Sequence, residues 1–97
     1  MYKYNNIMDI KKRFELSCKI VNNLKKKPTT NELLRLYGLY KQSTCGSCNV
    51  KEPNKLFIND CLKWNAWKQN YGKHKSDSMN EYSNYVMDLI DKYGLNK

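Results

Sequence analysis

The sequence has no apolar run near the length of about 20 residues that a membrane-spanning helix needs. Residues 1–6 also lack the hydrophobic region that follows a basic start in a secretory signal peptide. Four cysteines in a chain without such a signal indicate reduced thiols rather than a disulfide framework. We therefore expect a cytoplasmic protein that stays soluble where it is made.

The sequence is also poor in catalytic and metal-binding groups. Its one histidine, His74, has no evident nucleophile partner, and there is no glycine-rich phosphate loop. Cys45 and Cys48 have the spacing of a zinc knuckle, but no second paired motif accompanies them. A thioredoxin-type redox site would need a strand before this pair, and no strand pattern is present. We therefore predict no enzymatic activity, no metal and no cofactor.

Acidic residues are scarce relative to basic ones. The chain has 18 Lys and Arg against nine Asp and Glu, a net charge of +9 and an isoelectric point near 9.4. This imbalance predicts attraction to nucleic acid, anionic lipid or a phosphorylated small molecule, and composition does not choose among them. With 97 residues, of which 40% are hydrophobic and 12% aromatic, we expect a single folded domain over residues 1–97.

Apolar residues in the first part of the chain recur at steps of three and four, the spacing of one helical face. They are Ile7, Ile10, Phe14, Cys18, Val21 and Leu24. This pattern predicts a first amphipathic helix, with Asn5 or Asn6 as its N-cap and its end between Lys25 and Pro28.

A second helix is predicted to begin after Thr29. This threonine lies three residues before Glu32, the capping-box arrangement in which each side chain bonds the other residue's backbone amide. Gly46 is suited to end the helix. Gly38 lies inside it at a cost of about 1 kcal/mol relative to alanine, which predicts the close approach of another group there.

A long connection follows the second helix. Residues 47–59 show neither a helical nor a strand period. The three consecutive apolar residues Leu56, Phe57 and Ile58 are expected to hold this loop against the domain, because a loop this apolar is usually docked.

Two more helices complete the chain. Asp60 is the predicted cap of a third helix that is closed by Gly72, and a fourth begins at His74 or Ser76 and ends before Gly94. The apolar stripe of the fourth helix consists of Met79, Tyr82, Val86, Leu89 and Tyr93. Four helical patterns without a strand pattern predict an all-α four-helix bundle.

Four side chains from the second and third helices combine phenols with ammonium groups. Tyr37, Tyr40 and Lys41 fall on adjoining faces of the second helix, because residues at i, i+3 and i+4 are helical neighbours. Lys63 opens the sequence Lys-Trp-Asn-Ala-Trp at residues 63–67. Ammonium groups bind phosphates, and phenols stack on a flat base or donate to phosphate oxygens. This set predicts a surface that binds a base and a phosphate together.

The order and spacing of these residues resemble the acyl-CoA-binding protein family, small helical carriers of long-chain fatty acyl-CoA thioesters. The resemblance extends from about Phe14 to Leu95 without an insertion or a gap. It implies a four-helix bundle with a long overhanding loop between helices 2 and 3, and it marks residues 1–9 as an N-terminal extension. The implied function is that of an intracellular acyl-CoA carrier or buffer in lipid metabolism.

The resemblance also implies a role for each residue of the head-group site. The tyrosine at Tyr40 stacks on adenine, and the lysines at Lys41 and Lys63 meet the ribose 3′-phosphate. The tyrosine at Tyr37 lies by the phosphates, and the one at Tyr82 closes the site from the last helix. All five residues match the family pattern.

Two positions depart from the family pattern. The family commonly has a lysine at the position of Asn22, where it approaches the nucleotide phosphates, and an asparagine offers a hydrogen bond without a charge. Lys19 and Lys25 are the nearby candidates to replace it. His74 stands where relatives tend to cap the fourth helix with serine. We therefore expect the part of the site that meets the nucleotide phosphates to bind more weakly. The affinity for acyl-CoA should then depend more on the acyl chain.

The same resemblance implies a groove for the fatty tail, lined by residues of the first two helices. They are Phe14, Cys18, Val21, Leu33 and Leu34. Burial of each methylene contributes about 0.8 kcal/mol, so long chains are expected to bind much more tightly than short ones. The same residues are suited to packing the bundle, and both roles can hold at once.

Two other functions remain as alternatives. One is a basic helical nucleic-acid-binding module that places Lys25, Lys26 and Lys27 on the phosphate backbone. The other is an adaptor or membrane-surface protein that docks through Ile7 and Ile10. We expect a monomer with an acyl-CoA ligand, no nucleic-acid partner and no stable membrane insertion, and the N-terminal extension leaves self-association open.

Overall fold

The computed structural model describes residues 9–96, which form four α-helices. They are α1 (Ile10–Ile20), α2 (Thr30–Cys45), α3 (Ile58–Lys68) and α4 (Lys75–Tyr93), and a 3₁₀ turn at Val21–Asn23 follows α1. Leu24 and Leu95 pair in an isolated antiparallel bridge. The predicted all-α bundle, with a long loop between the second and third helices, is confirmed.

The helix α2 packs against both α3 and α4, and α1 packs against α4. Glu32, near the start of α2, pairs with Lys92, near the end of α4, so these two helices run antiparallel. Gln42, near the end of α2, donates to the carbonyl of Lys73, just beyond α3, so α2 and α3 run parallel. The N-terminal ends of α2 and α3 and the C-terminal end of α4 therefore lie at the same end of the molecule.

The hydrophobic core lies where α1, α2 and α4 meet. Its buried apolar residues are Phe14, Leu24, Leu36, Leu39, Tyr82, Val86 and Leu89. Met79 and Tyr93 are partly buried against this cluster, so the predicted apolar stripe of α4 is confirmed. The helix α3 contributes no residue to the cluster, and its position therefore depends on other contacts.

One of those contacts is the close approach of α3 to α2 at Gly38. A Cβ atom at this position would lie 2.7 Å from the carbonyl carbon of Ala66 and 2.9 Å from Nδ2 of Asn70. Both distances are far below ordinary van der Waals separation, about 3.5–4.0 Å between carbon atoms. The predicted close approach at Gly38 is confirmed, and the approaching group is the backbone of α3.

The first helix begins later than its apolar pattern predicts. Asp9 is its N-cap, and the Asp9 carboxylate accepts a hydrogen bond of 2.7 Å from the amide of Lys12. Ile10 is exposed rather than part of the apolar face. The predicted caps Asn5 and Asn6, and the apolar residue Ile7, lie outside the described residues.

The capping box at the start of α2 is formed as predicted. The Thr29 hydroxyl accepts from the amide of Glu32 at 3.2 Å, and the Glu32 carboxylate accepts from the amide of Thr29 at 2.9 Å. Lys92 and Tyr93 also donate to this carboxylate, at 2.8 and 2.6 Å, and these bonds lower the pKa of Glu32 to about 2. One carboxylate therefore joins the start of α2 to the end of α4.

Replacing Thr29 with alanine is expected to lower the free energy of unfolding by about 1 kcal/mol, because the amide of Glu32 loses its capping acceptor. Urea denaturation followed by circular dichroism measures the change. Thr30→Ala is the matched control, because Thr30 is the first residue within α2 and Thr29 holds the cap position. Equal losses in the two variants would contradict a capping role for Thr29.

The prediction for the long loop was wrong about the residues that hold it. Leu56, Phe57 and Ile58 are 84%, 60% and 69% exposed. The loop is instead held by two indole N–H groups of α3: Trp67 donates to the carbonyl of Gly46 at 2.8 Å and Trp64 to that of Val50 at 2.9 Å. The two indole hydrogen bonds attach the loop backbone to α3, and Leu56 and Phe57 do not need to be buried for this attachment.

Helix boundaries after the loop also differ from the predictions. Asp60 does not cap α3, because Phe57 occupies the cap position and Asp60 lies in the first turn of the helix. His74 is the cap residue of α4 and makes no side-chain capping bond, while Ser76 lies inside the helix. The predicted stop at Gly94 is confirmed, since this residue follows α4 with a φ of 76°.

Candidate functional site

Three aromatic rings from three helices meet on one side of α2. The ring of Phe14 stacks on that of Tyr40 with centroids 5.9 Å apart, and it meets the ring of Tyr82 edge-on at 5.1 Å. Tyr82 is buried, whereas Tyr40 is 44% exposed. Tyr40 therefore has support from the core on one side and an accessible surface on which a flat ring can stack.

The partly buried thiol of Cys18 lies within hydrogen-bonding reach of the phenol of Tyr82. Burial raises the pKa of the Tyr82 hydroxyl, and the neighbouring Cys18 adds to that effect. Burial likewise raises the pKa of the Cys18 thiol. Both groups are therefore neutral near pH 7, and Tyr82 lies beneath Tyr40 and Phe14 as a support for the exposed ring.

Two lysines extend this surface from α2 to α3. The ammonium nitrogen of Lys41 lies 4.8 Å from the ring centroid of Trp67, and that of Lys63 lies 5.7 Å from the ring centroid of Tyr37. Each ammonium group is thus next to an aromatic face of the neighbouring helix, at a distance typical of a cation–π interaction. Neither lysine belongs to an ion pair within residues 9–96, so both charges are available to an anionic ligand.

Trp67 contributes to this surface although its sequence position alone did not predict a site role. This residue supports Lys41 through its ring and holds the loop at Gly46 through its indole N–H. The signal was present in the Lys-Trp-Asn-Ala-Trp sequence, where Trp67 lies four residues after Lys63 and hence on the same face of α3.

Asn22 lies in the 3₁₀ turn after α1 and is exposed. Its side-chain amide donates to the carbonyl of Cys18 at 3.3 Å, so part of its hydrogen-bonding capacity is used on its own helix. Lys19 and Lys25, the candidates to replace the missing charge, are both exposed nearby along the chain.

The residues predicted to line the acyl groove fall into two groups. Phe14 is buried in the core, and Cys18 and Val21 pack partly buried against the same core. Leu33 is exposed on α2 and Leu34 is half-buried there. The residues of α1 and the 3₁₀ turn thus belong to the core or pack against it. Leu33 faces solvent instead, and Leu34 lies beside residues of α3.

Leu34 lines a cleft of about 550 Å³ with other residues of α2, with residues of α3 and of the segment after it, and with Glu81 of α4. Its apolar lining comes from Leu34, Leu39, Leu62 and Ala66. Glu81 is also in the lining and pairs with Lys73 at 2.9 Å and with Arg35 at 3.8 Å. Leu62 was not among the predicted groove residues, because a single exposed leucine on a helix does not by itself indicate a ligand.

The two cysteines at the end of α2, Cys45 and Cys48, lie in different environments. Cys48 is buried, whereas Cys45 is exposed, and its hydrogen bond with the Thr44 hydroxyl lowers the pKa of its thiol. Residues 9–96 bring together no group of three His, Cys, Asp or Glu side chains that could hold a metal ion. Within the same residues, no helix has both the length and the apolar character needed to cross a bilayer.

The sequence of this chain is similar to a protein-family model and to known proteins. The sequence model of a family described as "Acyl CoA binding protein" matches residues 11–86. "Acyl-CoA-binding protein 2" of Saccharomyces pastorianus is 48% identical over 80 residues, which cover 82% of this chain and 92% of the relative. "Acyl-CoA-binding protein" of Saccharomyces cerevisiae is 45% identical over the same shares of the two chains.

Two solved structures are similar throughout the bundle. The crystal structure of "Oryza sativa Acyl-CoA-Binding Protein 2" superposes with a TM-score of 0.82 and 32% identity, covering 86% of this chain and 92% of that chain. The structure of "ACBP from Moniliophthora perniciosa" superposes with a TM-score of 0.79 and 31% identity, covering 84% of this chain and 81% of that chain.

Proposed function

The chain belongs to the acyl-CoA-binding protein family, and from this premise we propose that it binds one long-chain fatty acyl-CoA and carries it intact. The observation that carries the proposal is the exposed ring of Tyr40, supported by Phe14 and placed on the helix face adjoining that of the unpaired cation of Lys41. A base and a phosphate on one small molecule match this pair of groups.

The head group is proposed to bind across α2 and α3. Adenine stacks on Tyr40, while Lys41 and Lys63 bind the ribose phosphate, with the hydroxyl of Tyr37 close to the phosphates. The 5.7 Å separation between the Lys63 ammonium and the Tyr37 ring supports this, because it brings the α3 lysine to the same surface as the α2 residues. Asn22 offers no charge, so the phosphate end is expected to depend on these two lysines, with help from Lys19 or Lys25.

The fatty tail is proposed to lie along the apolar residues exposed between α2 and α3. Leu33 and Leu34 belong to this path, and Leu62 adds to it from α3. Each methylene removed from water contributes about 0.8 kcal/mol. The tail therefore provides much of the affinity, and the head group sets the position and orientation of the ligand.

The remaining parts of the proposal concern the protein's working context. We propose a binding protein without catalysis, because burial keeps the Cys18 thiol of the site neutral and the ligand needs no bond broken to be carried. Residues 1–97 are proposed to form one domain with an N-terminal extension at residues 1–9, working as a monomer in the cytoplasm. The nucleic-acid alternative gains no support from the comparisons above, all of which are with acyl-CoA-binding proteins.

Isothermal titration with palmitoyl-CoA tests the proposal, with free CoA and palmitate as controls in the same buffer. We expect one-to-one binding of the thioester and much weaker binding of both fragments, because head and tail are held by different residues. Added salt should weaken the binding of free CoA more than that of palmitate, since CoA carries several phosphate charges and palmitate a single carboxylate. Absence of heat with palmitoyl-CoA would refute the proposal.

A further inference from the structure

The cleft beside Leu34 continues the apolar path that we propose for the fatty tail. On α2, Leu34 lies three residues before Tyr37, and on α3, Leu62 immediately precedes Lys63. A tail that leaves the head-group site toward the starts of these helices therefore reaches Leu34 and Leu62, which both line the cleft. Its volume of about 550 Å³ is within the usual range of small-molecule sites, so the cleft can hold the end of a tail.

Most of the side chains that line this cleft are polar. Only four of the eleven lining residues are apolar, and the other seven carry amide or charged groups. The amides of Asn31, Asn65 and Gln69 are exposed to water. A terminal methyl group that reached them would displace their water without replacing its hydrogen bonds, which costs affinity. The lining therefore favours a chain end that is itself polar.

The three charged side chains of the cleft differ in their partners. The ammonium group of Lys73 donates to the Glu81 carboxylate at 2.9 Å and to the side-chain oxygen of Asn70 at 2.9 Å. The charge of Lys73 is therefore matched by an acid in hydrogen-bonding contact. Nη2 of Arg35 lies 3.8 Å from the same carboxylate, which is too long for a hydrogen bond. The cleft therefore has one more positive charge than its single acid can bind.

Arg35 is positioned by an aromatic ring. Its guanidinium carbon lies 4.1 Å from the ring centroid of Tyr85 on α4, a contact that uses the flat face of the group and leaves its N–H edge accessible. None of its N–H groups donates a hydrogen bond within residues 9–96, and the side chain is 55% exposed. A guanidinium presents a planar fork of donors that can bind a carboxylate through two parallel hydrogen bonds. Arg35 is thus suited to bind a carboxylate that enters the cleft.

We propose that this protein also binds acyl-CoA molecules whose fatty tail ends in a carboxylate, and that Arg35 binds this terminal acid group. The inference rests on the proposed acyl-CoA function and adds to it a chemical class of tail. The methylenes pass Leu34 and Leu62, and the terminal carboxylate then meets the guanidinium of Arg35. Lys73 offsets the repulsion from Glu81, because the two are already in contact. A tail that ends in a methyl group gains nothing from Arg35.

Isothermal titration of the full chain with three CoA thioesters tests this inference. They are palmitoyl-CoA, hexadecanedioyl-CoA with a free terminal carboxylate, and the terminal methyl ester of hexadecanedioyl-CoA. We expect the parent to bind hexadecanedioyl-CoA within about threefold of palmitoyl-CoA, because the bond to the guanidinium offsets the loss of water from the carboxylate. Arg35→Gln should weaken the binding of hexadecanedioyl-CoA about tenfold, as expected for loss of a hydrogen-bonded charge. The other two ligands should bind Arg35→Gln like the parent, because neither has a terminal anion.

Lys68→Gln is the matched control for the lost charge. Lys68 is an exposed cation of α3 that does not line the cleft, so this variant should bind all three ligands like the parent. Arg35→Lys keeps the charge of Arg35 without its fork of donors, and it should recover only part of the affinity for hexadecanedioyl-CoA.

Two results would overturn the inference. One is a parent that binds palmitoyl-CoA tightly and hexadecanedioyl-CoA far more weakly. The other is an Arg35→Gln variant that weakens hexadecanedioyl-CoA and palmitoyl-CoA by the same factor, because Arg35 would then act on the fold or on the head group. A parent that does not bind palmitoyl-CoA gives a different result, since it refutes the carrier function itself and with it the choice of tail.

Discussion

Replacing Gly38 with alanine is expected to lower the free energy of unfolding by about 2 kcal/mol, as overpacked sites commonly do. The new methyl group would press on the carbonyl group of Ala66, and backbone of a packed helix cannot move aside as a flexible side chain can. Alanine is intrinsically better in a helix by about 1 kcal/mol, so the measured loss is what remains after this gain. Urea denaturation followed by circular dichroism measures it.

A double-mutant cycle identifies the group that obstructs the methyl. Asn70 also lies close, with its amide nitrogen 2.9 Å from the position of the added carbon. We expect Gly38→Ala to cost the same in the parent and in Asn70→Ala, because the backbone of Ala66 remains. A stability cost that disappears in the Asn70→Ala background would show that the side chain alone was the obstacle.

Tyr40→Ala is expected to weaken the binding of palmitoyl-CoA by about 5- to 150-fold, the equivalent of 1–3 kcal/mol for loss of a base stacked on an aromatic ring. Phe14 and Tyr82 would remain, but neither presents a comparably exposed face. Tyr40→Phe should retain most of the affinity, because the ring and its support at Phe14 are unchanged. Isothermal titration of the three proteins gives the comparison.

Tyr71→Ala is the matched control for this experiment. Tyr71 is also an exposed tyrosine near a lysine, with the ammonium of Lys68 4.5 Å from its ring, but it lies beyond α3 and outside the proposed site. Its loss should leave the affinity unchanged. If Tyr71→Ala and Tyr40→Ala weakened binding equally, or if Tyr40→Ala bound as tightly as the parent, the proposed position of the base would be wrong.

The parts of the fold that the sequence predicted are those set by local rules. Thr29 and Glu32 form their capping box because both partners lie within one turn of the same helix. The stripe from Met79 to Tyr93 faces the core because helical spacing alone places these residues on one side. Gly38 was predicted to lie close to another group because a glycine within a helix lowers helix stability. The sequence did not identify that group as the backbone of α3.

The parts that the sequence did not predict depend on contacts between distant segments. The apolar character of Leu56 and Phe57 suggested burial, but hydrophobicity does not say whether a core lies within reach. Trp64 and Trp67 hold the loop through N–H groups, and their acceptors are backbone carbonyls that no residue type identifies. Asp60 has a suitable side chain for a cap, but the helix begins two residues before it.

The residues of the candidate site could be predicted from the sequence, but the exposure of each side chain could not. Helical spacing placed Tyr37, Tyr40 and Lys41 together on α2. The burial of each side chain could not be predicted from the sequence. Tyr40 and Tyr82 are the same residue type, and only packing makes the first exposed and the second buried. Their individual roles in ligand binding stay predictions until the titrations above are made.

The two indole bonds of α3 bear on the order in which the chain folds. They join residues 14 and 21 positions apart, whereas the bond from Lys92 to Glu32 and that from Arg13 to Asn84 span 60 and 71 positions. Short closures cost less chain entropy and form faster than long ones. The segment from α2 to α3 is therefore able to assemble as a local unit, and the meeting of the two ends of the chain through α1 and α4 is the slow, long-range step.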